Sequence, residues 1–392
     1  MIQFIDLRTQ YEKIQQEVEE AVLKVLRGGQ YIMGPEVAEL EAELARFAGV
    51  EHVVSCASGT DALVMALMAK GVGPGDAVFT PPFTFVATAE AIATVGATPV
   101  FVDIEPDSFN VDPEALRRSI RALKERDPSI HPLPQLSDDA LAALTPKGII
   151  AVDLFGLCAD YERINAIAAE EGMFVIEDAA QSFGARSGNR RACALAEIGC
   201  TSFFPAKPLG CYGDGGALFT DDAELAALFR SIRVHGQGSD KYENVRLGIT
   251  GRLDTVQAAV LLTKLKVFED EIEQRQRVAN AYAAALAEAA VPVVAPVVPE
   301  GQVSAWAQYS VLAEGPAERE RLMGRLKDAG VPTAIYYPKP LHLQTAFAGL
   351  GYGAGDFPVS EEMSGRIFSL PMHPYLEDET IRSIVHAMNG SA

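Results

Sequence analysis

The chain has 392 residues, 48% of them hydrophobic, and carries 33 basic against 53 acidic residues for a formal charge of −20. That balance argues against a nucleic-acid partner, which needs a basic face, and no apolar run reaches the roughly 18–20 residues that cross a bilayer. Five scattered cysteines (56, 158, 193, 200 and 211), odd in number and without paired metal spacing, fit structural thiols in a reducing cytoplasm and no metal site. The N-terminus has no basic stretch followed by an apolar core, so a signal peptide is not expected.

Residues 11–27 place Ile14, Val18, Val22 and Val25 on one helical face, and Gly28-Gly29 ends the run. A second helix follows Pro35, with Val37, Leu40, Leu44 and Phe47 at helical spacing. From residue 52 the pattern alternates. Strands are predicted at 52–55, 77–80, 98–103, 148–153, 173–177, 200–204 and 216–219, and helices at 60–70, 85–95, 160–171 and 222–232 lie between several of them. Runs such as Met173-Phe-Val-Ile176, apolar on both sides, suit a sheet covered on both faces. The stretch 119–146, with Pro128, Pro132 and Pro134, reads as a helix extension and a surface loop. One long helix is expected over 252–289, and the Val- and Pro-rich segment 291–299 marks a change of domain. A strand (306–313), a helix (317–329), a strand (332–336), a Gly-rich turn (349–355) and a last helix (377–389) follow. The expectation is an α/β protein. A large domain, 1–260, holds a mainly parallel seven-stranded sheet, and a long helix joins it to a small α+β domain, 261–392.

Five segments could carry chemistry. Lys207 stands alone among aromatic, proline and glycine residues between Thr201-Ser-Phe-Phe204 and Gly213-Asp-Gly-Gly216. A partly desolvated lysine has a lowered pKa and can form a Schiff base; an exposed loop lysine would also account for the segment. Ser58-Gly-Thr60 lies between a strand and a helix, where N–H groups bind anions, although plain capping explains it equally. Asp178, at the C-terminal end of a buried strand, could face a pyridinium nitrogen, with Gln181 three residues on reaching a ring substituent. Pro81-Pro-Phe-Thr-Phe-Val-Ala-Thr88 offers aromatic cover for a planar ring, or simply core. Gly248-Ile-Thr-Gly-Arg-Leu-Asp254 precedes the long helix, with Arg252 available to an anion. Charge alone also marks residues 230–252 (Arg230, Arg233, His235, Lys241, Arg246, Arg252) as a possible anion site or a solvated loop. Together the first four segments supply an amine nucleophile, a phosphate cradle, a pyridinium partner and a lid, the equipment for pyridoxal 5′-phosphate. The glycines at 210–216 do not make a dinucleotide fingerprint.

The motifs Ser58-Gly-Thr60, Glu177-Asp-Ala-Ala-Gln181, the Ser202 to Lys207 spacing and Gly213-Asp-Gly-Gly216 resemble those of the DegT/StrS-type nucleotide-sugar aminotransferases, a fold-type-I pyridoxal-phosphate family. The resemblance runs from Phe4 to Pro374. It implies that Lys207 forms the Schiff base with the cofactor and Asp178 pairs with the ring nitrogen. It gives Gln181 the ring hydroxyl, Phe85 the stacking position, and Gly59, Thr60 and Ser202 the phosphate. Thr250 stands where the family usually has an Asn that donates to the neighbouring subunit's cofactor. Arg252, Tyr336, Tyr337 and His342 fall on the substrate side, with Tyr336 where many relatives have His. A homodimer with shared sites is implied, with glutamate as donor. The runs Gln30–Pro35 and Lys207–Tyr212 suggest the branch that aminates a UDP-linked 3-oxo sugar acid; amination of 4-keto UDP or dTDP sugars, or a non-catalytic regulator on this fold, are the alternatives.

Overall fold

A computed structural model describes residues 2–240 and 242–390; Lys241, one of the basic run, lies outside them. The N-terminal helices α1 (Leu7–Gly28) and α2 (Pro35–Ala48) end where Gly29 and Gly49 adopt left-handed backbone, as glycine C-caps do. They are followed by β1 (His52–Cys56), α3 (Gly59–Ala69), β2 (Asp76–Thr80), α4 (Ala87–Thr94), β3 (Thr98–Phe101) and α5 (Pro113–Glu125). After the short α6 (Asp138–Ala143) come β4 (Thr145–Val152), α7 (Tyr161–Glu171), β5 (Phe174–Asp178), β6 (Ile198–Ser202), β7 (Gly216–Thr220) and α8 (Ala223–Ile232). The seven strands form one sheet in the order β1-β7-β6-β5-β4-β2-β3. Only β7 runs against its neighbours, pairing antiparallel with β1 and β6.

The strands alternate between two cores, which is why both faces are apolar. Ala77, Phe79, Ile149, Ala151, Val175 and Phe219 point to the side covered by Leu40, Leu44, Leu116, Ile164 and Val260. Val78, Ile150, Ile176 and Leu218 point to the other, against Leu63, Leu67, Ile92 and Phe229. The period-2 pattern therefore buries both faces, as a parallel sheet between helix layers requires.

Three expectations need correction. The predicted helix over 252–289 is two helices, α9 (Thr255–Leu265) and α10 (Phe268–Glu288). The break occurs where Lys266 and Val267 close short turns onto the carbonyls of Thr263 and Lys264 at 3.3 and 3.1 Å, the tight winding common at helix ends. The segment 332–336 is no strand: it pairs with the small sheet only at Ala334, opposite Ser369, before the chain turns at Tyr336-Tyr337-Pro338. The 119–146 stretch is not wholly a surface loop, since Leu133 and His131 are buried and the His131 ring lies 3.1 Å from the Phe101 carbonyl.

The C-terminal half of α10 joins the chain beyond it in a separate core around Val278, Tyr282, Tyr309, Leu322, Phe368 and Ile384. It comprises β8 (Tyr309–Ala313), α11 (Pro316–Asp328), α12 (Pro358–Arg366), β9 (Ile367–Leu370) and α13 (Asp378–Asn389), with β8 and β9 antiparallel. A further cluster joins this unit to the ends of the large sheet: Phe83, Val152, Leu154 and Phe155 pack with Leu312, Met363 and Ile367, and Tyr336 and Tyr337 lie against it. This packing brings Tyr337 to the sheet's carboxyl edge.

Candidate active site

β5 ends at Asp178, which is 6% exposed. Its Oδ2 accepts the Thr88 hydroxyl at 2.9 Å and its Oδ1 accepts the Ala180 N–H at 3.2 Å. Burial nevertheless pushes its pKa up, against these donors and the positive charge of Lys207. Such a carboxylate is short of stabilising partners. A protonated pyridine nitrogen would supply both a donor and a counter-charge.

Lys207 sits on a loop pinched shut at its base, where the Cys211 N–H bonds the Phe203 carbonyl at 2.8 Å and the Phe203 N–H bonds Gly215 at 2.7 Å. Its own N–H closes a turn onto Phe204 at 2.9 Å. Some of its surface reaches solvent, yet desolvation draws its pKa down and the Asp178 charge only partly opposes this. The side chain is thus half-buried and not a fully solvated loop lysine.

The turn before α3 has a double role. The Ser58 hydroxyl accepts the Asp61 N–H at 3.0 Å, so the capping explanation holds for Ser58. Gly59 and Thr60 open the helix, and the backbone at Gly59 runs so close to Ser202 that a Cβ would lie 2.6 Å from the serine Cβ. A Cβ on Gly216 would come 2.4 Å from the Ser58 carbonyl. The glycines therefore let the Ser202 strand end meet a helix N-terminus, and the combined donor set of N–H groups and two hydroxyls suits a phosphate. Beside it, Gln181 Oε1 accepts the Phe155 N–H at 2.9 Å while its Nε2 donates to the Tyr337 hydroxyl at 3.2 Å. Phe85, 54% exposed, has its ring centroid 6.4 Å from that of Tyr337. The donors, the buried carboxylate and the lysine fit pyridoxal phosphate.

Arg252 follows Gly251, whose carbonyl accepts the Ala57 N–H at 3.1 Å, so it stands next to the anion turn. Its Nε is buried without a hydrogen-bond partner. Thr250 is exposed and its hydroxyl lies 2.8 Å from His235 Nε2. Tyr336 packs near Phe4, with centroids 6.3 Å apart. The His342 side chain is buried: its Nε2 lies 3.1 Å from Glu361 Oε1 and its ring packs on Phe357, contacts that serve the small domain. Among the described basic residues of 230–252, Arg233 is not free for an anion, since it is buried against Glu41 and the Ser55 carbonyl. Thr88 closed the segment 81–88 singled out for its aromatic residues, but it was given no role of its own; its position one helical turn after Thr84, with which it shares a 3.2 Å hydrogen bond, was the available signal.

Sheet order and this carboxyl-edge arrangement place the protein among the fold-type-I pyridoxal-phosphate-dependent transferases. The sequence matches the DegT/DnrJ/EryC1/StrS aminotransferase family over residues 12–389. The chain belongs to that family, and it is an aminotransferase. It is 48% identical, across 100% of both chains, to a Pseudomonas aeruginosa protein named UDP-2-acetamido-2-deoxy-3-oxo-D-glucuronate aminotransferase. It is 41% identical, over 98% of this chain and 96% of the other, to a Geobacillus stearothermophilus protein named pleiotropic regulatory protein. Among solved structures, a DegT DnrJ EryC1 StrS aminotransferase from Brucella abortus matches with a TM-score of 0.92 and 52% identity, covering 100% of this chain and 99% of that one. Among the described residues no helix is long and apolar enough to cross a membrane.

Proposed function

We propose that this enzyme moves the amino group of glutamate to the keto group of a UDP-linked 3-oxo sugar acid, UDP-2-acetamido-2-deoxy-3-oxo-glucuronate, in the synthesis of a surface polysaccharide. One observation carries the aminotransferase chemistry: a desolvated Lys207 electrostatically coupled to the buried carboxylate of Asp178. The substrate assignment is supported by the full-length similarity to the Pseudomonas protein.

In this reading Lys207 is the residue that would hold the cofactor, through its amine. The Lys207 amine, whose pKa desolvation lowers, would be the group that moves the proton at Cα of glutamate. Asp178 would keep the ring nitrogen protonated, and Thr88 holds that carboxylate in place. Gln181, fixed by Phe155 and Tyr337, presents its remaining N–H to the ring hydroxyl. Phe85 would cover the ring, and Gly59, Thr60 and Ser202 would take the phosphate. When bound, the cofactor supplies an electron sink and stores the amino group between the two half-reactions. Arg252 is suited to a carboxylate, which it can bind through two N–H groups, and Tyr336 and Tyr337 flank the sugar.

A homodimer with shared sites belongs to the same proposal. The exposed apolar side chains Tyr31, Ile32, Phe204 and Leu247 support it, and surface Thr250 would serve the second subunit's phosphate. Five cysteines, all free, support a cytoplasmic location. Mass spectrometry of products from UDP- and dTDP-linked keto sugars incubated with glutamate tests the substrate. Amination of the UDP 3-oxo sugar acid is expected; turnover of 4-keto dTDP sugars alone would make the assignment wrong. The similarity to a protein named as a regulator gives a second reading, which predicts no glutamate half-reaction.

A further inference from the structure

Lys264 is one of the most deeply buried large side chains, 1% exposed, although it lies outside the machinery described above. Buried lysines are rare and need a reason. Its Nζ donates to the Gly210 carbonyl at 2.6 Å and sits 4.4 Å from the centre of the Tyr212 ring. Gln257, seven residues earlier and so on the same face of α9, bonds both main-chain groups of Tyr212: its Oε1 accepts the N–H at 2.9 Å and its Nε2 donates to the carbonyl at 3.3 Å. These two side chains hold the stretch Gly210-Cys211-Tyr212. That stretch is the downstream stem of the loop carrying Lys207, and the pinch at Cys211 to Phe203 lies between the two anchors.

The surroundings link the anchor to the rest of the molecule. Glu271 on α10 is the carboxylate coupled to Lys264, and it is itself buried, accepting from Gln10 of α1 at 2.9 Å and from the Tyr375 hydroxyl. The other titratable neighbours are the Cys211 thiol, which burial pushes up to about 11, and the Tyr212 hydroxyl, pushed up to about 12. Burial brings Lys264 down to about 8, with Glu271 and Cys211 only partly restoring it. A cation costly to bury is thus kept where it touches the loop of the reactive lysine.

We propose that Lys264 is a positioning residue for Lys207: by fixing the Gly210 carbonyl and the Tyr212 ring it holds the Lys207 loop in the shape that accepts pyridoxal phosphate. The inference rests on the assignment of Lys207 above. A site whose reactive group rides on a loop depends on the anchors of that loop for its geometry. Lys264→Met keeps the length and apolar stem but removes the ammonium and leaves the Gly210 carbonyl unpaired.

The test is the dissociation constant of pyridoxal phosphate from full-length protein, by equilibrium dialysis, together with the pH at which the bound visible band titrates. Lys264→Met should raise the dissociation constant about tenfold and move that titration. It should also lower kcat more than it raises KM for glutamate. A folded Lys264→Met protein whose dissociation constant and titration stay within about twofold of the parent would overturn the proposal, because a merely structural lysine would move only the melting temperature. Should that variant fail to fold, Tyr212→Leu removes the ring that Lys264 holds, and an unchanged dissociation constant there is equally fatal. Lys207→Ala separates the two ideas: a visible band that survives it refutes the assignment of Lys207, whereas an unaffected Lys264→Met refutes only the anchor.

Discussion

Thr88 donates its hydroxyl to Asp178 Oδ2 at 2.9 Å, joining α4 to the end of β5. This bond and the Ala180 N–H are what the protein itself offers a carboxylate that burial pushes toward its protonated form. Thr88→Val keeps the shape and removes the donor. The Asp178 pKa should rise further, and pyridoxal phosphate should bind about fivefold more weakly, about 1 kcal/mol. Thr88→Ser should recover most of the loss. Fluorescence titration of the three proteins with the cofactor checks this.

His342 binds Glu361, and Glu361 also accepts N–H groups from Gly355 and Phe357 at 2.8 and 3.3 Å. The histidine therefore braces the Gly-rich turn. His342→Phe should lower unfolding free energy by about 1–2 kcal/mol while leaving KM for the sugar nucleotide within about twofold. Urea denaturation and steady-state kinetics separate these effects; a large rise in KM with unchanged stability would place His342 on the substrate side.

His373 is 4% exposed, and burial brings its pKa from 6.5 to about 4, with Asp6 pulling weakly the other way. The folded state holds it neutral while the unfolded chain takes up a proton below pH 6.5, so stability falls as pH drops from 6.5 toward 4. The loss at pH 5 should be on the order of 2 kcal/mol relative to pH 7.5. His373→Leu should flatten that part of the pH dependence, measured as the difference in urea midpoints between the two proteins.

The seven strands were legible because Val78, Ile150, Ile176 and Leu218 and their sequence neighbours are apolar on both sides, a pattern with few other uses. Lys207 and Asp178 stood out as candidates because a lone lysine and a strand-end carboxylate are chemically unusual in their settings. Orientation was not legible. A histidine near a Tyr-Pro turn reads the same whether it faces a cleft or Glu361, and its packing against Phe357 is visible only in the fold. The break at Lys266–Val267 was hidden for a similar reason: the helical pattern continues through it, and no proline or glycine marks the tight turns onto Thr263 and Lys264. Thr88 was given no role of its own because its partner lies 90 residues away.

The central claim is that Lys207 carries the cofactor of an enzyme that takes nitrogen from glutamate. Visible absorbance of the purified protein, reconstituted with pyridoxal phosphate and then given glutamate, tests it most directly. The account predicts a band near about 410–430 nm that glutamate bleaches and that Lys207→Ala lacks from the start. A reconstituted protein with no such band, or one whose band persists in Lys207→Ala, would contradict it.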